Sequence, residues 1–152
     1  MRVPNNAVVL VADGRKMLFL RNLGDALAPN LTVEHAQEQD NPSDGDQKTD
    51  QAGRAASTRG GGGFAAGGGT MGEVDFHQQE EDRFAADAAD LLRTRALNND
   101  FESLIIIAPP RTLGELRKHY HKEVSDRLTG ELAKDLTGHP IADIEKALVA
   151  AD

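Results

Sequence analysis

The groups best suited to chemistry in this chain of 152 residues crowd into one stretch, Arg111-Thr-Leu-Gly-Glu-Leu-Arg117-Lys118-His-Tyr-His-Lys122. Arg111, Arg117, Lys118 and Lys122 offer charged donors, and Thr112 and His121 neutral ones, to a phosphate or carboxylate partner. The alternative for Arg111 is an ion pair with Asp13 or another acid. For Arg117, Lys118 and Lys122 it is simple complementation of a helix C-terminus. Asp13 is the second candidate. Hydrolysis by two metal ions needs several carboxylates converging on ions about 4 Å apart. Glu73 and Asp75 are available partners, but Ile105, Ile106 and Ile107 contribute nothing to such a set. The structural role open to Asp13 is the Asp-Gly turn, where a short polar side chain tolerates positive φ.

Other patterns carry less. Gly67, Gly69 and Gly72 satisfy GxGxxG, yet Phe64-Ala65-Ala66 and further glycine stand where a dinucleotide cradle needs a buried strand. His119 and His121 point to different faces of any helix, HExxH is absent, and His77 with Glu80 or Glu81 is at most a surface pair. His139, before Pro140, belongs to a turn. Neither a GxSxG elbow nor a Walker A sequence occurs. The sequence therefore assigns no catalytic residue, no metal ligand and no cofactor.

Charge narrows the partners. Seventeen Lys and Arg against 25 Asp and Glu give a net charge of -8, so nucleic acid, anionic lipid and acidic substrates are repelled at long range. Any such partner requires a local basic patch. The chain has no cysteine, which removes disulfides, thiol catalysis and thiolate-bound metals. The apolar run near the N-terminus is too short for a signal-peptide core or a membrane span, and the expectation is a cytoplasmic protein with no membrane partner.

The elements that must position these groups follow from periodicity. Ala7 to Ala12 is apolar throughout, as a strand covered on both faces should be, and Met17 to Leu20 resumes after Asp13-Gly14, which predicts a tight hairpin. Leu31, Val33 and His35 alternate with polar neighbours and predict a third strand near an edge. Residues 40 to 72 show no periodicity and predict a mobile glycine-rich loop within a single domain of residues 1 to 152. Asp75 with Gln78 reads as a capping box opening a helix whose apolar stripe is Phe84, Ala88, Leu91, Leu92 and Ala96. Ser103 to Ala108 is a second doubly covered strand, ended by Pro109-Pro110. Thr112 with Glu115 predicts a helix running to about Asp126. Leu128, Leu132 and Leu136 share one parity on a fifth strand, with helix as the alternative for residues 129 to 136. Pro140 predicts the start of a last helix facing inward through Ile141, Ile144 and Leu148.

The order is β-β-β-α-β-α-β-α, an α/β fold with a mixed five-stranded sheet of ribonuclease H-like topology. If the fourth strand lies parallel beside the first, the two most apolar strands are central, and Asp13 and Arg111 share the carboxyl rim.

Several stretches resemble a known family. VLVADGRKMLFLRN, DNPSDGD, VDFHQQEEDRFAADAADLL, IIIAPPRTLGELRKHYHKEV and DLTGHPIADIEKAL together are similar to the bacterial host attachment proteins, a family named for attachment to host cells. That family is similar in turn to the central domain of archaeal and eukaryotic class-1 peptide-chain release factors, which implies the fold given above and a partner in the translation machinery: ribosome, RNA or a translation protein. In those factors a Gly-Gly-Gln loop before the long helix serves peptidyl-tRNA hydrolysis. Here Gly63 is followed by Phe64 and Gly69 by Thr70, while Gln78 and Gln79 fall in the expected helix. The resemblance thus implies a non-enzymatic binding protein, with a hydrolase or nuclease acting on RNA or peptidyl-tRNA as the alternative.

Overall fold

A computed structural model describes residues 1–39 and the backbone of 66–151, with side chains in the second stretch from residue 78 onward. Three strands come first, β1 (Val8–Ala12), β2 (Lys16–Asn22) and β3 (Leu31–Glu38). The long helix α1 (Ala66–Leu97) leads to β4 (Leu104–Ala108), and then α2 (Pro110–Arg117), α3 (Lys122–Arg127), β5 (Leu128–Ala133) and α4 (Ile141–Ala150) complete the chain.

The sheet has the order β3-β2-β1-β4-β5. β1 pairs antiparallel with β2 and parallel with β4, in a register that sets Val9 beside Ile105 and Val11 beside Ile107. Every residue of β1 and β4 is buried, which is why VVLVA and LIIIA carry no polar alternation. The two most apolar segments are therefore the neighbours expected from the sequence, and α1 supplies the crossover between them.

Both faces of the sheet are covered. On one, Leu10, Phe19 and Ile106 pack under Phe84, Ala88, Leu92 and Ala96 of α1, with Leu113 and Leu116 of α2 and Val124 of α3 beside them. On the other, Val9, Val11, Ile105 and Ile107 pack against Ile144 and Leu148 of α4 and against Leu136. Each fully buried aliphatic side chain stabilises the fold by about 1.5–3 kcal/mol.

Four details depart from the sequence reading. Asp75 does not open a helix, because α1 begins at Ala66. No proline interrupts that stretch, and an anchored helix extends by one backbone hydrogen bond per residue even through glycine. Of the glycine-rich segment read as a loop, residues 40 to 65 lie outside the described residues, and 66 to 72 are the first turns of α1.

The single helix expected from Thr112 to Asp126 is two. α2 opens at Pro110 behind Pro109, with no side-chain cap, so Thr112 lies inside the helix. α3 restarts behind His121, whose Nδ1 accepts the backbone N–H of Glu123 at 3.0 Å. The chain breaks there although it contains neither glycine nor proline between Lys118 and Lys122.

β5 runs parallel to β4 but carries a bulge: Leu104 pairs with Leu128 while Ile105 pairs with Gly130, leaving Thr129 as the extra residue. A bulge reverses the alternation of faces. Leu128 consequently packs with the α1 layer and Leu132 with the α4 layer, and Leu136 is buried beyond the strand. The shared parity of the three leucines does not survive.

Finally, the hairpin between β1 and β2 uses a three-residue connection, Asp13-Gly14-Arg15, and neither Asp13 nor Gly14 has positive φ. A second bulge lies at the other edge. Phe19 pairs with His35 and Leu20 with Val33, so Glu34 is extra on β3 and faces the α1 side together with His35.

Candidate functional site

In an open sheet with parallel central strands, ligand-binding groups gather at the carboxyl ends of those strands. β1 delivers Asp13 there, β4 delivers Pro109, Pro110 and Arg111, and the turn after β5 delivers Asp135 and Thr137.

Asp13 is fully engaged. Its Oδ1 accepts the backbone N–H groups of Arg15 and Lys16, each at 2.7 Å, and its own N–H donates to Lys16 O at 2.9 Å. Its Oδ2 accepts the hydroxyl of Thr137 at 2.8 Å. The side chain thus closes the hairpin, the structural role open to it, through hydrogen bonds and not through positive φ.

Thr137 is 7% exposed, and its Oγ1 also lies 3.1 Å from Asp135 Oδ1. A hydroxyl carries one proton, so two carboxylates compete for a single donor. Sequence reading missed Asp135 and Thr137. The available signal was the Asp-Leu-Thr-Gly spacing, in which an Asp side chain turns back on a backbone N–H two residues ahead; Thr137 N does reach Asp135 Oδ1, at 3.4 Å.

Arg111 stands at the start of α2, exposed, and its guanidinium has no ion-pair or hydrogen-bond partner among the described residues. It borders a small cleft with Gly14, Gln78, Glu81, Asp82, Thr112 and Glu115. The enclosed volume is about 10 Å³, room for roughly one water molecule. Asp13 and Arg111 share the rim as expected, without pairing to each other.

The remaining cations of the cluster have acidic neighbours. Arg117 meets Glu131 at 2.6 Å, Lys118 meets Glu115 at 2.9 Å and Lys122 meets Asp126 at 3.1 Å. Tyr120 donates its hydroxyl to Glu131 Oε2 at 2.9 Å. Partial burial works against ionisation of Glu131, but the hydrogen bonds from Arg117 and Tyr120, with the Arg117 charge, outweigh it and hold the carboxyl below the ordinary Glu range. Burial first, and then the Glu131 charge, pushes the Tyr120 phenol well above its usual value. Arg117, Lys118 and Lys122 are raised chiefly by the hydrogen bond each makes to its acid. His121 is occupied as the cap of α3.

A second charged cluster joins β2, β3 and the end of α1. Arg21 and Arg95 both bind Glu34, at 2.9 and 2.5 Å, and Arg95 also binds Asp100 at 2.7 Å. The Arg95 guanidinium lies 5.0 Å from the centre of the Phe19 ring. Desolvation opposes the charge of Glu34, yet the hydrogen bonds from Arg21 and Arg95 bring its carboxyl below the ordinary value. These contacts tie the edge strand to the helix layer.

Gln78 and Gln79 lie within α1, as expected, and Gln78 donates to Asp82 Oδ1 at 2.8 Å. Gly67, Gly69 and Gly72 are helical, a backbone unlike the strand-to-helix turn of a phosphate cradle. Among the described residues no cluster of three or more His, Cys, Asp or Glu is arranged to hold a metal ion, and no helix is long and apolar enough to cross a membrane. The side chain of His77 lies outside the described residues.

A mixed five-stranded sheet with helices on both faces, and polar groups collected at the carboxyl rim of its parallel strands, defines an α/β protein of the release-factor-like class. More particularly, the chain matches bacterial archaeo-eukaryotic release factor family 12 over residues 6–148 and belongs to that family. No curated protein sequence matches it significantly.

Proposed function

We propose that this chain is a non-enzymatic, cytoplasmic binding protein that contacts the translation machinery through the carboxyl rim around Arg111. Membership of a release factor family supports a translation-related role. The observation that carries the location is Arg111 itself, an exposed guanidinium with no partner among the described residues, beside the free N–H groups that open α2. A cleft of about 10 Å³ favours surface recognition of a large partner over enclosure of a metabolite. Thr112 lies one residue along the same helix, while Arg117, Lys118 and Lys122 form the flank and would join the contact by exchanging their present acidic partners, and His121, whose Nδ1 caps α3, would offer its other ring nitrogen.

The strand order also suits the ribonuclease H-like topology read from the sequence. The resemblance to host attachment proteins is accommodated if attachment is a downstream phenotype of a translation-linked activity. Hydrolysis of RNA or peptidyl-tRNA through Asp13 is the weaker reading, since both carboxylate oxygens of Asp13 already accept hydrogen bonds.

Co-sedimentation with ribosomes at low and moderate salt tests the proposal. Wild type should pellet with ribosomes, and Arg111→Glu should shift to the supernatant while keeping its thermal midpoint. Undiminished pelleting of Arg111→Glu, or of a variant changed at Arg111, Arg117 and Lys118 together, removes this face.

A further inference from the structure

Ile144 and Leu148 of α4 are fully buried and fix the helix on the sheet, so the orientation of its opposite side is set by the core. Ala142, Lys146 and Val149 are exposed there and half-buried Glu145 stands at its margin, the four at the i, i+3, i+4, i+7 spacing of one helical stripe. With Pro29 it borders an open, largely apolar groove of about 370 Å³. Val149 is 52% exposed. Lys146 is exposed and has no ion-pair partner among the described residues. Glu145 uses Oε2 to accept the backbone N–H of Leu31 at 2.8 Å; this holds its carboxylate in place beside the groove.

The stripe is its own complement. Turn a second copy about a two-fold axis passing between positions 145 and 146, so that the helices run antiparallel. Ala142 of each copy then faces the partner's Val149, a small residue against a large one. Glu145 faces the partner's Lys146, giving two opposite-charge pairs with no like-charge opposition. A two-fold contact requires this reciprocity, in which residue i meets j and j meets i. We infer that α4 is the self-association surface of this protein, with a second copy of the chain as its occupant.

The net charge of -8 repels another copy at long range, so local complementarity has to hold the pair together. A ten-residue helix with one flanking loop residue is a small contact, below the roughly 800 Å² per partner of a standard interface. The dimer is accordingly weak and reversible.

Sedimentation equilibrium of the full chain over a concentration series provides the test. Wild type should show a concentration-dependent monomer–dimer equilibrium. Lys146→Glu sets like charges against each other at two places and should raise Kd about tenfold. Glu145→Lys should do the same, and an equimolar mixture of the two variants should recover association, because every facing pair is then opposite in sign. Lys146→Glu disturbs no ion pair among the described residues, so it decides the matter alone if Glu145→Lys fails to fold. A wild type that stays monomeric throughout, a Lys146→Glu variant that dimerises like wild type, or a mixture of folded variants that remains monomeric overturns the inference.

Discussion

The hydroxyl of Thr137 donates to Asp13 Oδ2 at 2.8 Å and so joins two turns 124 residues apart in sequence. Thr137 is buried. Thr137→Val keeps the shape and removes the donor, which should destabilise the fold by about 1–3 kcal/mol, whereas Thr137→Ser should lose much less. Urea denaturation measures both. Equal midpoints for wild type and Thr137→Val would show that this bond contributes nothing net.

Asp13 serves the hairpin as an acceptor, and a neutral amide oxygen can take over the two backbone N–H groups of Arg15 and Lys16. Asp13→Asn should therefore retain most of the stability, while Asp13→Ala should lose about 1–2 kcal/mol. A charge-dependent role would reverse the expectation for asparagine. Thermal and urea unfolding of the pair separates the two.

Glu34 and Glu131 ionise more readily in the folded chain than their ordinary value of 4.5 implies. Their stabilisation is fully present above that value and fades as pH falls through the lower, folded-state one. Glu131→Gln should lower the denaturation midpoint at pH 7, and the deficit should shrink progressively as pH is taken below the ordinary Glu range. Glu34→Gln should behave alike. A deficit that persists unchanged in acid would assign these residues a role independent of charge.

Two glycines should respond oppositely to alanine. A Cβ on Gly24 would lie 2.4 Å from Ala28 O and 2.8 Å from Asn30 N, both backbone atoms that cannot swing aside. Gly24→Ala should cost about 1–3 kcal/mol through overpacking. Gly114 lies within α2, and a Cβ there meets nothing within 4 Å. Gly114→Ala should raise stability by about 0.5–1 kcal/mol. Differential scanning calorimetry would rank the three proteins.

The central sheet was legible because VVLVA and LIIIA have no polar alternation, and strands of that kind are stable only where both faces are covered. The buried stripe of α1 was legible for the corresponding helical reason. What stayed hidden depends on contacts distant in sequence or on irregular backbone. The bulge at Thr129 reverses facing without leaving a mark in the hydrophobic pattern. The break before α3 is capped by His121, outside the usual Ser, Thr, Asp and Asn, so the pattern ran on through it. At the rim, Asp13 and Arg111 could be placed from parallel neighbouring strands alone. Asp135 and Thr137 could not, since their turn has no period, and Thr137 finds Asp13 only once β5 has docked beside β4.

The extra residue at Glu34 also bears on how the protein behaves when crowded. An outermost strand with seven exposed residues, Thr32 to Glu38, is a template on which other polypeptides could add by backbone pairing. The bulge interrupts its ladder, and Glu34 holds the kink against Arg21 and Arg95. Fibrillar growth from that margin is thereby discouraged.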